Sequence, residues 1–418
     1  MLPTMKTMSQ RGFSAGSTGV CPYPPKSDFL SISSSPRLRL AVVGLGGMGQ
    51  GHIKNMKEHV SEIELTAVCD TAAAVVEKVA DEHKVPGFTS IKDLVASKTC
   101  DAVLVAVPHP LHPDLTLPCL EGGLHVLVEK PVSERISTAR TMVELAEKKG
   151  KTLAVMLNQR TTPAHAAILN AIRAGELGKI TRFTLIWPDI RTQAYYNMGG
   201  WRATWRGEGG GVLINQAPHI LDVLVQAVGL PKSVMAWVST REHQIEVEDF
   251  VEARVALHDG GSGFIYASTT EPRIEPSLEI VGHAGRISLV GDKVRQWKFD
   301  PMPKFLMESV EVWARCTPVE VPVNLPQGTG AHVEVIRNFA RHILLGEELL
   351  FSAKSGLGQV ELSNALMLSG YTNQEVSLPL DGAAFDTFIA GMRQKFSGAK
   401  ANVNDIRATD PNTVKKKI

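Results

Sequence analysis

The chain has 418 residues, of which 44% are hydrophobic and 21% charged, proportions typical of a globular protein long enough for two domains. Its 44 Lys and Arg residues nearly balance 43 Asp and Glu residues, giving a formal net charge of +1, which indicates neither a nucleic-acid nor a membrane partner. No apolar run approaches the roughly 20 residues of a membrane span, and five scattered cysteines without a CxxC pair favour a reducing, cytoplasmic location without a metal site.

The first 36 residues differ from the rest of the chain. They are rich in Ser, Gly and Pro, contain one acid, Asp28, and predict a disordered extension. The alternative is an organelle transit peptide, for which Lys6, Arg11 and Lys26 supply the positive charge. Residues 396–418 include three consecutive lysines, 415–417, just before the final Ile418, and are predicted to form a C-terminal tail.

Residues 37–158 alternate short β-branched runs with amphipathic segments of the length that βαβ crossovers use. The run at 101–107 is almost continuously apolar, as expected of a strand buried on both faces of a parallel sheet. Further strands are predicted at 39–43, 63–69, 125–128 and 153–157, and helices at 71–83, 113–121 and 138–149. This alternation predicts an α/β domain with a doubly wound Rossmann sheet.

Residues 159–395 predict a second domain of the α+β class, with an open, mostly antiparallel sheet. A helix at 163–174 precedes longer alternating strands, and Asp259-Gly260-Gly261 is a hairpin signal. The predicted strands lie at 181–187, 233–239, 249–257 and 262–268, and two later helices at 331–345 and 358–370.

A glycine-rich turn follows the first predicted strand directly. It consists of Gly44-Leu45-Gly46-Gly47-Met48-Gly49. Glycines at this spacing allow a tight turn, a close approach of a pyrophosphate and close helix packing, and a helix N-terminus attracts phosphates. Asp70 ends the second strand, 21 residues after Gly49. A carboxylate there binds ribose hydroxyls and repels a 2′-phosphate, so NAD is favoured over NADP.

Glu129-Lys130-Pro131 ends another predicted strand, at the edge where doubly wound sheets bind ligands. The ammonium group of Lys130 could hydrogen-bond a substrate hydroxyl and stabilise developing alkoxide charge. The alternative is an ordinary surface lysine.

The second half contains Asn215, His219 and Asp222 around Pro218, which is suited to the first turn of a helix. The three side chains share one face if the helix extends back to Asn215. His219 is then a candidate general base; the alternative is a structural histidine at a helix end.

Together, the glycine turn, Asp70, Glu129-Lys130-Pro131 and residues 215–222 resemble the Gfo/Idh/MocA family of oxidoreductases. The resemblance extends from about residue 37 to about 380 and includes Pro108 and His112 as cofactor-binding positions. It implies a Rossmann domain joined to an open-sheet domain, assembly as a homodimer or homotetramer, and oxidation of a sugar or polyol hydroxyl by NAD or NADP.

Within that resemblance, Lys130 and His219 match catalytic positions of the family, whereas Asn215 stands where an aspartate is usual. An amide can orient a hydroxyl but cannot carry charge, so Asp222 is the candidate to support His219. The surrounding sequence is similar to members that oxidise glycosides at C3. We expect a sugar to stack near Tyr195, Tyr196, Trp201 or Trp205, although some of these aromatic residues are expected in the core, and Arg160 to reach it from the domain junction.

Two other functions use the same features. A redox-type glycosidase oxidises a sugar transiently, cleaves the glycosidic bond and reduces the intermediate back without net cofactor turnover. A sensor or repressor binds NAD and acts through protein contacts, but does not need the Lys130 and His219 pair. Reduction of a biliverdin-like or imine substrate is a further alternative.

Overall fold

The computed structural model describes residues 36–400 and Val403. The predicted extension and transit peptide, up to residue 35, and most of the predicted C-terminal tail lie outside this range. Residues 396–400, which were predicted as part of that tail, contact the second sheet's loops: the backbone N–H of Gly398 donates to Glu246 at 2.9 Å and the Lys400 ammonium group to the carbonyl of Gly199 at 3.0 Å.

The first sheet has six parallel strands in the order β3-β2-β1-β4-β5-β6. These strands are β1 (Leu38–Val43), β2 (Ile63–Cys69), β3 (Gly87–Phe88), β4 (Ala102–Val105), β5 (His125–Val128) and β6 (Leu153–Val155). All four residues of β4 are buried, since helices cover both faces of the sheet. The predicted doubly wound Rossmann sheet is confirmed.

Five helices connect these strands: α1 (Gly47–His59), α2 (Ala73–His83), α3 (Ile91–Ser97), α4 (His112–Glu121) and α5 (Ile136–Lys149). Helix α5 ends where Gly150 adopts a φ of +61°, a conformation that glycine tolerates. Short 3₁₀ turns lie at His109–Leu111 and Asn158–Thr161.

The second sheet has nine strands, in the order β14-β13-β12-β11-β7-β10-β9-β8-β15. They are β7 (Ile180–Pro188), β8 (Ser233–Ser239), β9 (Phe250–Ala256), β10 (Ser262–Ser268), β11 (Ser277–Gly282), β12 (Gly285–Val290), β13 (Lys293–Lys298), β14 (Val319–Val321) and β15 (Val376–Ser377). Only the β7–β10 pairing is parallel among these described strands. The predicted mostly antiparallel sheet and the β9–β10 hairpin are confirmed.

The remaining helices are α6 (Pro163–Arg173), α7 (Gln193–Tyr196), α8 (Pro218–Val228), α9 (Met302–Glu308), α10 (His332–Leu345), α11 (Ala353–Thr372) and α12 (Gly382–Lys395). Apolar side chains of α8 and α11 share one hydrophobic cluster with the inner face of the second sheet. The other face is open: Ile265 on β10 is fully buried, while Phe264 beside it is exposed, the period-two pattern of a sheet covered on one side.

Helix α10 lies in the segment predicted as part of the second domain, yet it packs on the first sheet. Its Ile336 and Phe339 belong to the same buried cluster as Leu40, Val42 and Leu104. The chain thus returns to the Rossmann sheet after the second sheet is complete. Among the described residues, no helix has the length and apolar character needed to cross a membrane.

Candidate active site

The glycine turn joins β1 to α1 with very little space on one side. Gly44 has a φ of +93°, and a Cβ there would lie 2.3 Å from the carbonyl oxygen of Ala106. A Cβ on Gly49 would lie 1.9 Å from the carbonyl oxygen of Gly44. A Cβ on Gly46, in contrast, would meet nothing within 4 Å. The outer two glycines therefore allow close packing, and the middle one leaves backbone open to a ligand, as a pyrophosphate requires.

Helix α1 begins immediately after this turn, with Gly46 as its N-cap and without a side-chain capping bond. Its first N–H groups, which include those of Gly47 and Met48, therefore supply donors and a partial positive charge at the turn. Asp70 follows β2 directly, and its carboxylate accepts from the N–H of Leu45 at 2.7 Å and of Ala72 at 3.0 Å. The predicted ribose-binding carboxylate is thus fixed beside the predicted phosphate-binding turn.

Pro108 precedes the 3₁₀ turn at the end of β4, and His112 begins α4. The ring of His112 is fully buried, with Nδ1 at 2.8 Å from the carbonyl of Pro131 and Nε2 at 3.0 Å from that of Val107. Burial lowers the pKa of His112, although both carbonyls oppose this effect. His112 therefore joins the loops after β4 and β5 with its ring buried, and its contact with a cofactor stays a prediction.

Glu129 connects the end of β5 to helix α1. Its Oε1 lies 2.7 Å from Nε2 of His52, and its Oε2 accepts from the N–H of Lys130 at 3.1 Å. Burial alone would raise the pKa of Glu129, but the hydrogen bond with His52 and the electrostatic interactions with His52, His332 and Lys130 bring it well below its usual range. Glu129 is therefore a charged carboxylate next to Lys130.

The ammonium group of Lys130 crosses from the first sheet to the turn before α8. Its Nζ donates to the backbone carbonyl of Asn215 at 2.8 Å and to Oδ1 of the same residue at 3.2 Å. Burial lowers the pKa of Lys130 to about 8, while the charges of Glu129 and Glu208 raise it. Lys130 is thus a fixed hydrogen-bond donor that loses its proton only a little above neutral pH.

Asn215 lies in a turn and not on the helix. Helix α8 begins at Pro218, and the N–H of Asn215 donates to the carbonyl of Gly211 at 3.0 Å. A shared helical face for Asn215, His219 and Asp222 required the helix to extend back to Asn215. It does not extend that far. The Asn215 amide donates to Oη of Tyr195 at 3.1 Å and to Glu208. His219 is the second residue of α8 and is partly exposed.

Arg202 lies between two of the predicted sugar-stacking residues. Its guanidinium carbon is 4.7 Å from the ring centroid of Tyr195 and 4.6 Å from that of Trp201, and it donates to Oη of Tyr195 at 2.8 Å. The Trp201 ring also packs edge-on against His109, at 5.7 Å between centroids. Tyr195 and Trp201 therefore lie at the site, but Arg202 covers one face of each ring. Sequence reasoning gave no role to Arg202, His109 and Glu208, although segments 108–112 and 201–211, which contain them, contribute to the family resemblance.

Two of the four aromatic residues considered for sugar stacking lie in the core, as was expected of some of them. Trp205 is fully buried against Tyr371 and Phe388. Tyr196 is also buried, and its hydroxyl lies 2.7 Å from that of Thr269.

Arg160 and Asp222, which were predicted to contact the substrate, form an ion pair with each other. Nε and NH2 of Arg160 donate to the two carboxylate oxygens of Asp222 at 2.7 and 2.6 Å. Both side chains are buried, and Arg160 also donates to the hydroxyl of Ser355 at 2.7 Å. This bidentate pair stabilises the junction between α8 and the segment before α6, so Asp222 is not available to support His219.

Comparison with known proteins agrees with this geometry. Residues 38–157 match a family model described as an oxidoreductase family with an NAD-binding Rossmann fold, and residues 165–288 match the GFO/IDH/MocA C-terminal domain.

Among the described residues, no cluster of His, Cys, Asp or Glu could bind a metal ion.

Similar proteins include a D-glucoside 3-dehydrogenase of Escherichia coli, which is 30% identical over 284 residues, covering 61% of this chain and 76% of that protein. The scyllo-inositol 2-dehydrogenase (NADP(+)) IolW of Bacillus subtilis is 21% identical over 82% of this chain and 96% of its own. The crystal structure of the WlbA dehydrogenase from Chromobacterium violaceum, in complex with NADH and UDP-GlcNAcA, has a TM-score of 0.71 and 28% identity, covering 84% of this chain and 99% of its own.

Proposed function

This chain belongs to the Gfo/Idh/MocA family of NAD(P)-binding oxidoreductases, and we propose that it oxidises a hydroxyl group of a sugar or glycoside with NAD. The observation that carries this proposal is the position of Lys130. Its ammonium group lies at the carboxyl end of β5, where a doubly wound sheet binds ligands, and Asn215 of the second domain fixes it from the other side. A substrate hydroxyl between the two domains would therefore meet a positioned cationic donor.

The residues present fit a dinucleotide. The open backbone at Gly46 and the donors at the start of α1 would bind the pyrophosphate. Asp70 would accept hydrogen bonds from the ribose hydroxyls and would repel a 2′-phosphate, which supports NAD over NADP. When bound, NAD supplies the acceptor for the hydride that leaves the carbinol carbon.

The chain's own residues would control the proton and the oxygen. His219 would remove the hydroxyl proton, because a neutral imidazole is a base near neutral pH. Lys130 and Asn215 would bind the oxygen as negative charge develops on it. The carbinol then becomes a carbonyl, with its proton on His219 and its hydride transferred. The similarity to a D-glucoside 3-dehydrogenase supports C3 of a glycoside as the oxidised position.

A homodimer or homotetramer is proposed from the open face of the second sheet. Trp237 on β8 and Phe264 on β10 are 44% and 36% exposed there. Large aromatic side chains on one open face are typical of a protein–protein contact.

The test uses purified protein with NAD or NADP and a panel of free sugars, inositols and chromogenic glycosides. Reduced-nicotinamide absorbance and aglycone release are measured in the same samples. Accumulation of reduced cofactor with one class of sugar supports the proposal. Aglycone release without net reduction would instead establish a redox glycosidase, and binding of NAD without turnover would favour a sensor.

A further inference from the structure

Glu208 is a buried carboxylate that the proposed reaction does not use. It lies in the loop after Trp201 and is 1% exposed. One oxygen accepts from the N–H of Ala203 at 2.5 Å and the other from the side-chain amide of Asn215. The nearest cation is Arg202, whose NH1 is 4.0 Å from Glu208. Burial raises the pKa of Glu208, and the charges of Arg202 and Lys130 and the hydrogen bonds from Ala203 and Asn215 oppose that rise. A buried carboxylate has a structural cost, which raises the question of what Glu208 contributes.

The charges on either side of Asn215 determine which way its amide points. A carboxylate only accepts hydrogen bonds and an ammonium group only donates them. The NH₂ of Asn215 must therefore face Glu208, and its Oδ1 must face Lys130. If the amide were reversed, the NH₂ would face the ammonium group, donor against donor. Glu208 thus selects the orientation in which Asn215 can bind Lys130.

We propose that Glu208 is a positioning residue for Lys130, acting through the amide of Asn215 and through its negative charge. This inference rests on the proposed role of Lys130 as the donor to the substrate oxygen. Besides Glu208, the groups whose charges act on Lys130 are Glu129, Arg202 and Arg191. Burial lowers the pKa of Lys130 to about 8, and the charge of Glu208 opposes that fall. The buried rings of His109 and His112 are also near, and burial lowers the pKa of each.

The decisive experiment moves the negative charge from position 208 to position 215. In Glu208→Gln the charge is lost, and the new amide presents an N–H toward Asn215 or Ala203. In the double variant Glu208→Gln with Asn215→Asp, the new carboxylate would accept from the new amide and from Lys130 together. If Glu208 acts as proposed, Glu208→Gln lowers kcat/KM on the order of tenfold to a hundredfold, and the double variant recovers most of that loss. NAD affinity is expected to be unchanged in both.

A second measurement does not depend on turnover. Lys130 in the protein without cofactor is acylated by a small amine-reactive reagent over a range of pH, and its modification is quantified by mass spectrometry. The midpoint is expected at lower pH in Glu208→Gln and back near the wild-type midpoint in the double variant. Glu246→Gln is the matched control, since Glu246 also accepts from loop N–H groups but is not among the groups with the largest effect on Lys130. Its midpoint is expected to equal that of the wild type.

The inference is wrong if folded Glu208→Gln keeps the wild-type midpoint, or if the double variant is no better than Glu208→Gln in both measurements. Should the wild type oxidise no sugar while the midpoint shifts as expected, the proposed function fails and the coupling of Glu208 to Lys130 stands.

Discussion

The Nζ of Lys130 lies 2.8 Å from the backbone carbonyl oxygen of Asn215, although the two residues are 85 positions apart in the chain. Lys130 follows the fifth strand of the Rossmann sheet, and Asn215 lies in the turn before the helix that carries His219. Because the contact joins the edge of one domain to a turn of the other, the same atoms that define the site also fix how the two sheets approach each other there.

Replacing Lys130 by Met is expected to lower kcat by about two to four powers of ten, because the positioned donor to the substrate oxygen is lost. NAD binding, measured by fluorescence titration, is expected to remain. Lys148→Met, on the exposed surface of α5, is the control and should retain full activity. Near-normal turnover of folded Lys130→Met would remove Lys130 from the mechanism.

The activity should fall as the pH rises through about 8, since burial lowers the pKa of Lys130 to about 8 and only the ammonium form carries the positive charge that stabilises the developing alkoxide. The profile of kcat/KM reports groups of the free enzyme. In Lys130→Arg the fall in activity near pH 8 should disappear, because arginine stays charged at that pH. An activity that instead rises through pH 8 would mean that neutral Lys130 acts as a base.

Five strands of the first sheet were predictable because most of their residues are buried and helical segments of fitting length separate them, whereas β3 has only two residues, neither of them buried, and was not predicted. A Cβ at Gly44 or Gly49 would clash with backbone atoms, while Gly46 leaves the turn open to a ligand, so the spacing of these glycines predicts the turn. Strands β11–β15 were not predicted, and the last two of them have only three and two residues.

The second half of the site could not be predicted in the same way. Asn215 and Asp222 are seven residues apart, a spacing that would place them on one face of a continuous helix. Helix α8, however, begins only at Pro218. Trp201 and Trp205 are equally aromatic in sequence. Only the folded loop determines that Trp201 contacts His109 while Trp205 enters the core.

Changing Asp70 tests the choice of cofactor. Asp70→Ser is expected to raise KM for NAD on the order of tenfold and to narrow the preference over NADP, because the acceptor for the ribose hydroxyls and its repulsive charge are both lost. Asp70→Asn separates these effects, as it keeps the size of the side chain without the charge. Steady-state kinetics with both cofactors provide the comparison. If both variants kept the wild-type ratio of kcat/KM for NAD to kcat/KM for NADP, Asp70 would not determine the cofactor preference.

Assembly through the open sheet is tested by placing charge on it. Trp237→Glu or Phe264→Glu should shift the protein toward monomer in light scattering coupled to size-exclusion chromatography, since burying an unpaired carboxylate opposes association. Leu345→Glu is the control: Leu345 is 67% exposed at the end of α10, away from the second sheet. A wild-type protein that is monomeric at every concentration contradicts the proposal.

Removing one partner of the buried Arg160–Asp222 pair should destabilise the protein and leave the chemistry intact. Asp222→Asn leaves the guanidinium group without its charge partner, and the free energy of unfolding, measured with urea, is expected to fall by about 3–5 kcal/mol. Replacing both residues, by Met at 160 and Leu at 222, should recover much of this loss because no buried charge then remains. Turnover per folded molecule should stay within a few-fold of wild type in both variants. If Asp222→Asn unfolds at the same urea concentration as the wild type but loses turnover, the result would instead support the sequence-based hypothesis that Asp222 assists His219. The site would then have to adopt a second arrangement in which the carboxylate of Asp222 leaves Arg160.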